Sequence, residues 1–574
     1  MASPYRAPSG AFRRPLVALL VSVVALSVVT TALIGCSKKE SPSVSAASGL
    51  PESDFFDRLP KTTFAFLFQE TRSPAYREYS TSSFFQAPDA YVDKIAELSK
   101  DLPEIKRLNA IVNGSPAFKD AAGKIQPPLE FMLFAAADDD GSGAPEFGAY
   151  TRSARELDPA THLSALEASL KAEQLTSERR QFGSAQGLVI SDSSGAANPP
   201  LKFYLVVSAD LMSISSSAAV AERLFVPLDS IALHDRGRAA LDANQVFQRV
   251  RARAANTRGI FTYGFFDAVA GLKIIEGAVP AGAAPVDAAQ FHKSFESLAF
   301  ARTSSDGLSD YLWIGLPAGA VTPEVEKVLG GGGAHPGIQR IVPGAVLATS
   351  IDGAVAKAIK AVTLPPPGDG TQAPSMPFID SLDALQGVTL AVRNASGASP
   401  FPELVLELTS SDAPRLKESL KVALGALSAG GGLPLGSWQS KKVGGIDVDF
   451  MASPIGIGIF LAATRNGIVV STSEGVFADI ERGAFAKEVP ARFEHQAFAE
   501  DKAPLVLGFL SGQRLAALIE SVQTSLAMFT GGQSLVDQPT LESVRALGSI
   551  GMAATYRDGA VRLHHHYEVE KPTK

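Results

Sequence analysis

Cysteine occurs once in this chain of 574 residues, tryptophan twice and histidine eight times. One thiol excludes any disulfide within the chain. Charged side chains are scarce as well, at 19% against 46% hydrophobic, a balance that supports packed cores and argues against a largely disordered protein. With 52 Lys and Arg against 59 Asp and Glu, the formal net charge is only -7. Clustered basic residues are missing, so nucleic acid is not an expected partner, because phosphate binding rests on such clusters. Beyond the first 35 residues no apolar run is long enough to cross a bilayer. The length calls for several globular units.

The beginning of the chain is its most specific feature. A basic stretch ends at Arg13-Arg14, an apolar run follows from Leu16 to Ile34, and Gly35-Cys36 closes it. That is the grammar of an export signal over 1–35. Leu33-Ile34-Gly35-Cys36 resembles the lipobox of bacterial lipoproteins at all four positions, which implies cleavage before Cys36 and lipidation of its thiol. Several acyl chains on one residue hold a protein at a membrane without a spanning helix. The competing reading of the same run is an uncleaved transmembrane anchor. Removing Arg6, Arg13 and Arg14 takes the net charge from -7 to -10. Ser37 follows the cysteine, and in the sorting pattern this resembles, Asp at that place favours inner-membrane retention, so the expectation is the outer membrane, facing the periplasm. Residues 36–56 are rich in Ser, Lys, Glu, Pro and Ala and read as a flexible tether.

The remainder speaks twice. Leu59-Pro60 opens a strand-like stretch through Leu67, and Val342-Pro343 opens another through Thr349, at an offset of 283 (343 minus 60). Leu129–Ala137, a loop, Phe147–Thr151 and a helical pattern over Ala160–Leu170 are answered by Val388–Val392, a loop, Leu404–Leu408 and Ala413–Leu424. Phe203–Val207, Ala209-Asp210, Leu211–Ile214 and a helix from Ala218 are answered by Ile459–Ala463, Asn466-Gly467, Ile468–Ser471 and a helix from Gly475. Asn-Gly between apolar runs is a strong hairpin signal. Gly264 and Gly508 sit in matching strands at an offset of 244 (508 minus 264), and Asp306-Gly307 and Asp558-Gly559 are the closing turns. The expected class is α+β, with antiparallel sheets and packed helices in two similar halves. The first half covers 57–328 (57–230 a larger unit, 240–318 a smaller one), and a glycine-rich linker runs over 329–339. The second half covers 340–574 (340–487 and 490–572).

Chemistry-bearing constellations are few. Asp138-Asp139-Asp140-Gly141-Ser142-Gly143 puts glycine at position six of a calcium loop but Ala149 at position twelve, where a bidentate Glu belongs, so it reads as a solvated hairpin loop. His564 and His566 share one face of a strand and offer two metal ligands, too few for a structural zinc site; a partly exposed final strand is the simpler reading. His234, His335 and His495 are scattered. No Gly-x-Ser-x-Gly elbow occurs. Ser215-Ser216-Ser217 and Ser471-Thr472-Ser473 precede helical stretches and read as caps. Gly456-Ile457-Gly458 lacks the third glycine of a dinucleotide loop, and Gly330–Gly333 lacks the Lys-Ser/Thr of a phosphate loop.

Leu59-Pro60-x-Thr-Thr after a lipobox and tether, with the later strand, Asn466-Gly467, strand, helix segment, resembles a family of bacterial envelope proteins catalogued only as a domain of unknown function. The likeness lends architecture and no catalytic residue, metal or cofactor. Three functions follow as expectations. One is a non-enzymatic binding or scaffold protein for an envelope protein or an apolar ligand held between the halves. The others are a hydrolase whose site is not readable from sequence, and a structural spacer without a ligand.

Overall fold

A computed structural model describes residues 49–50, 53–80, 129–137, 146–153, 156–172, 175–191, 202–226, 240–278, 295–304, 307–331, 333, 335–355, 357, 384–394, 402–429, 436–452, 458–494, 498, 501–530, 536 and 538–568. Two compact units emerge: described residues 49–304 and 312–317 form the first, and 307–311 with 318–568 the second.

In the first unit the strands are β1 (Thr63–Glu70), β2 (Glu130–Ala136), β3 (Glu146–Arg152), β4 (Thr176–Phe182), β5 (Ala185–Ser191), β6 (Lys202–Val207), β7 (Leu211–Ser215), β8 (Ile260–Asp267) and β9 (Ser297–Thr303). Strand β10 (Leu308–Gly315) divides, Leu308–Tyr311 belonging to the second unit and Leu312–Gly315 to the first. The helices are α1 (Phe55–Arg58), α2 (Pro74–Ser80), α3 (Pro159–Ala172), α4 (Ala218–Phe225), α5 (Gln245–Ala254) and α6 (Ala268–Ala278). Pairing is antiparallel throughout and runs β4-β5-β6-β7-β3-β2-β1-β8-β9. The stretch 240–318, read from sequence as a smaller unit, thus places β8 and β9 in the sheet that contains β1. Alternation sets the two faces: in β8, Tyr263, Phe265 and Asp267 are buried while Thr262, Gly264 and Phe266 are half-buried. The buried face carries an aromatic core in which Phe66 lies against Phe56, Phe247, Tyr263 and Phe265, with ring centroids 5.5–5.9 Å apart. Each such ring contributes about 1.5–3 kcal/mol by leaving water.

In the second unit α7 (Pro323–Gly330) and a 3-10 turn over Pro336–Arg340 precede β11 (Ala345–Asp352), β12 (Leu385–Arg393) and β13 (Glu403–Ser410). Helix α8 (Ala413–Ala429) leads to β14 (Gln439–Val443), β15 (Ile446–Ala452), β16 (Gly458–Thr464) and β17 (Gly467–Ser471). Then come α9 (Gly475–Glu481), α10 (Glu488–Phe493), β18 (Val506–Ser511), α11 (Gly512–Thr530), α12 (Gln538–Ala546), β19 (Ser549–Arg557) and β20 (Ala560–Glu568). The antiparallel order is β14-β15-β16-β17-β13-β12-β11-β18-β19-β20. Its buried face is more aliphatic, with Ile338, Val342, Ala348, Ala391, Val405 and Phe509 among its members.

The class is α+β with antiparallel sheet, as the hairpin-rich pattern requires. The Asp558-Gly559 turn joins Arg557 to Ala560 with φ of 52° and 67°, the left-handed pair that a two-residue hairpin demands. At Asn466-Gly467 the expectation is corrected. Thr464 pairs with Gly467, so Arg465-Asn466 make the turn and Gly467 opens β17 at φ 146°. A Cβ there would lie 2.0 Å from the carbonyl oxygen of Leu408, which is why glycine follows the asparagine.

Candidate functional site

Cys36 and the Asp138–Gly143 loop lie outside the described residues, as do His234, His495 and Gly456-Ile457. Gly458 begins β16. Gly330 ends α7, and the amide of Gly333 donates to Asp352 Oδ2 at 3.0 Å. The hydroxyls ahead of the helices serve the backbone. Ser217 Oγ accepts from Val220 N and caps α4, and Ser215 Oγ donates to Ser217 O at 2.6 Å. In the second unit Ser473 Oγ accepts from Gly475 N at 3.2 Å and Thr472 Oγ1 from Leu404 N at 2.9 Å. The N-cap of α9 itself is Glu474, which makes no side-chain cap bond.

The histidine triplet lies on β20, a partly exposed strand as expected, but two of its three rings are buried. His564 is 0% and His566 2% exposed, while His565, on the opposite face, is half-buried. Burial pulls the His565 pKa down against the pull of Asp310, and the neighbouring His564 pulls it further down. His564 Nδ1 lies 2.6 Å from Asp501 Oδ2, and Arg562 bonds the other oxygen of that carboxylate. The other ring nitrogen of His564 is Nε2. That Nε2 is buried with no hydrogen-bond partner. The ring stacks on Tyr311 at 4.3 Å and lies 4.7 Å from Phe498. Ser309 Oγ meets His566 Nδ1 at 2.8 Å, and Tyr567 donates its hydroxyl proton to Asp310 Oδ2 at 3.0 Å. A Cβ on Gly307 (φ 94°) would approach His566 Cε1 to 2.7 Å, so the predicted turn glycine doubles as clearance for the ring.

Sequence spacing places the two histidines on one face but does not announce Asp501, Phe498, Ser309 or Tyr311, which reach them from elsewhere in the chain. The serine bonds one histidine and the aspartate the other, so the three do not line up on a single imidazole. Among the described residues no group of three or more His, Cys, Asp or Glu is placed to hold a metal ion. His335, predicted as isolated, is buried with Nδ1 3.1 Å from Ser350 Oγ and Nε2 2.8 Å from Pro504 O; burial depresses its pKa.

A second feature is apolar. On the less buried face of the first sheet, directly paired residues form a cross-strand strip: Phe300, Gly264, Leu67, Leu133, Ala149 and Ile214. Leu67 is 37% exposed, and the other five are half-buried. The strip lies between α3, whose Leu163, Leu166 and Leu170 cover Leu205 and Met212, and α6, whose Gly271 sits against Phe266 and Phe64. In the second sheet the corresponding row is Met552, Gly508, Thr349, Leu390, Leu406 and Val470. There Leu390 is 38% exposed, and Leu404, two positions along β13 from Leu406, is 44% exposed. Neither row contains a charged side chain. No protein-family model, curated protein or solved structure matches this chain.

Proposed function

We propose that this protein is a lipid-anchored component of the bacterial cell envelope, held through acyl chains on Cys36 and facing the periplasm from the outer membrane. Its body is a non-enzymatic binding or scaffold module built twice. The observation that carries the twofold construction is the shared register. The nine strands of the first pairing order correspond to the first nine of the ten in the second, and both sheets shift register at the start of the equivalent strand, between Thr63 and Ala65 and between Ala345 and Leu347; each also has a shift without a counterpart, between Ile260 and Thr262 in one and between Leu385 and Gly387 in the other. A binding role draws what support it has from the uncharged rows on both sheets, where Leu67, Leu390 and Leu404 are exposed.

The anchoring is tested by signal-peptidase II inhibition with globomycin and by Cys36→Ala. Accumulated precursor and release of the variant from the membrane fraction are expected. Unchanged processing and fractionation overturn the reading.

One observation favours the hydrolase alternative, namely the Asp501-oriented His564 with its unpartnered Nε2. Complete burial of that ring weighs against it, because a general base must reach the proton it removes. Turnover of ester substrates that is lost in His564→Phe would revive it.

A further inference from the structure

We propose that the outer edge of β4 pairs with the same edge of a second copy of this chain, joining two first-unit sheets into an antiparallel dimer. The dimer goes beyond the envelope reading and does not depend on the anchor.

Strand β4 (Thr176–Phe182) ends the first sheet and is bonded on one side to β5. Phe182 and Ala185 close a two-residue turn over Gly183-Ser184, so the backbone groups of Thr176, Glu178, Arg180 and Phe182 face β5. Those of Ser177, Arg179 and Gln181 point the other way, and no turn or loop bond reaches them among the described residues. Thr176 and the four residues from Glu178 to Gln181 are exposed. Seven extended residues without proline or glycine form a template for a further strand.

Charge selects which strand fits. When two identical strands pair antiparallel about a two-fold axis, one residue lies opposite itself and its neighbours cross over. With Arg179 at the axis, Glu178 of each copy lies opposite Arg180 of the other. The pair shares one face and occupies the closely spaced positions, about 4.5 Å apart between Cα atoms. Ser177 meets Gln181, so the outward groups at 177, 179 and 181 exchange about six backbone hydrogen bonds. Only this register overlaps the whole strand; an axis at Glu178 or Arg180 shortens the overlap and sets like charges face to face.

Arg179 also meets its own copy, but Glu167 on α3 offsets that charge, with Nε 2.9 Å from Oε1 and Nη2 2.8 Å from Oε2. Glu178 and Arg180, on the opposite face, make no ion pair among the described residues. Arg180 lies over the Phe182 ring, 5.3 Å from its centroid, which keeps the guanidinium on that face. The matching edge of the second unit is different. There β14 (Gln439–Val443) carries Lys441 and Lys442 and no acid, so no two-fold register brings opposite charges together. Lysine is the usual guard of an exposed edge, and Lys441 is bound to Glu474.

The test follows the full-length protein in mild detergent by sedimentation velocity across a concentration series, where a reversible monomer–dimer equilibrium is expected. Glu178→Arg and Arg180→Glu each put like charges at both crossings and should raise the dissociation constant about tenfold. The double variant Glu178→Arg/Arg180→Glu restores both crossings and should return to within about twofold of the parent. A misfolded chain would show no such rescue. In intact cells, Arg179→Cys under copper-catalysed air oxidation should give a disulfide-linked dimer, its Cα atoms being about 5.5 Å apart. Its yield should exceed that of the parent, whose one thiol is Cys36, and that of Lys441→Cys. A chain that stays monomeric at every concentration, single reversals without effect, a double variant no better than the singles, or equal linking at 179 and 441 overturns the edge dimer.

Discussion

Gly264 and Gly508 occupy the same position in two ladders: Gly264 lies between Leu67 and Phe300, and Gly508 between Thr349 and Met552. From that pair the correspondence extends outward across the strands, reaching Arg179 opposite Leu188 at one margin and Ser440 opposite Asp449 at the other. Some paired positions differ in chemistry between the two units.

The first prediction concerns cores. Phe66 of the first unit corresponds to Ala348 of the second, and the rings around Phe66 have no equivalent space to collapse into. Phe66→Ala should cost about 3–5 kcal/mol. Urea titration of the full chain checks this; a loss below 1 kcal/mol would mean that the aromatic cluster is not the packing centre of that unit.

A second prediction follows from the histidine cluster. Asp501 is buried against His564 and Arg562, so Asp501→Leu removes the carboxylate that both of them share and should cost about 3–5 kcal/mol. His564→Phe keeps a ring against Tyr311 and Phe498 and loses only the bond to Asp501, about 1–3 kcal/mol. Denaturation midpoints giving the reverse order would contradict the arrangement.

Acid dependence should centre on Asp449. Its partial burial opposes ionisation, but the Ser440 hydroxyl and the ammonium groups of Lys417 and Lys421 outweigh that and hold its pKa at about 2. A folded pKa below the unfolded value of about 3.9 contributes stability above pH 4 that disappears as the pH falls towards 2. After allowance for solvent screening the contribution is about 1 kcal/mol. Asp449→Asn should therefore be less stable than the parent at pH 6 and equal to it at pH 2, as read by thermal unfolding at both pH values. A constant difference across that range would remove the assignment.

Buried carboxylates of the opposite kind should respond with opposite sign. Desolvation raises the pKa of Glu407 despite the Arg340 guanidinium beside it. A raised folded pKa means stability present at low pH and lost as pH rises through the shifted value. Glu407→Gln should thus lower stability less at pH 7 than at pH 4, a difference that isothermal denaturation resolves.

Much of the architecture is legible in the residues. Alternation in Ile260–Asp267 and in Leu211–Ser215 marks the strands, and Asp558-Gly559 marks a turn that the backbone takes as written. Register is harder to read. Aligning Pro60 with Pro343 gives an offset of 283, whereas the ladders pair Leu67 with Gly264 as Thr349 with Gly508, an offset of 282 (349 minus 67). Two prolines just ahead of strands look alike in composition, but only hydrogen bonding between strands fixes which residues correspond. The histidine site shows the same limit. Period-two spacing puts His564 and His566 together, while Asp501, Phe498 and Ser309 arrive from distant segments by tertiary packing, which leaves no local trace. Burial of the pair was illegible for the same reason: a final strand with three histidines looks polar until its partners are known.

An acylated Cys36 is the proposed hold of this protein on the membrane. The most direct measurement is the mass of the N-terminal peptide of the protein isolated from the membrane fraction. A chain beginning at Cys36 and carrying acyl groups is the predicted result; a chain beginning at Met1, or an unmodified Cys36, would contradict the account.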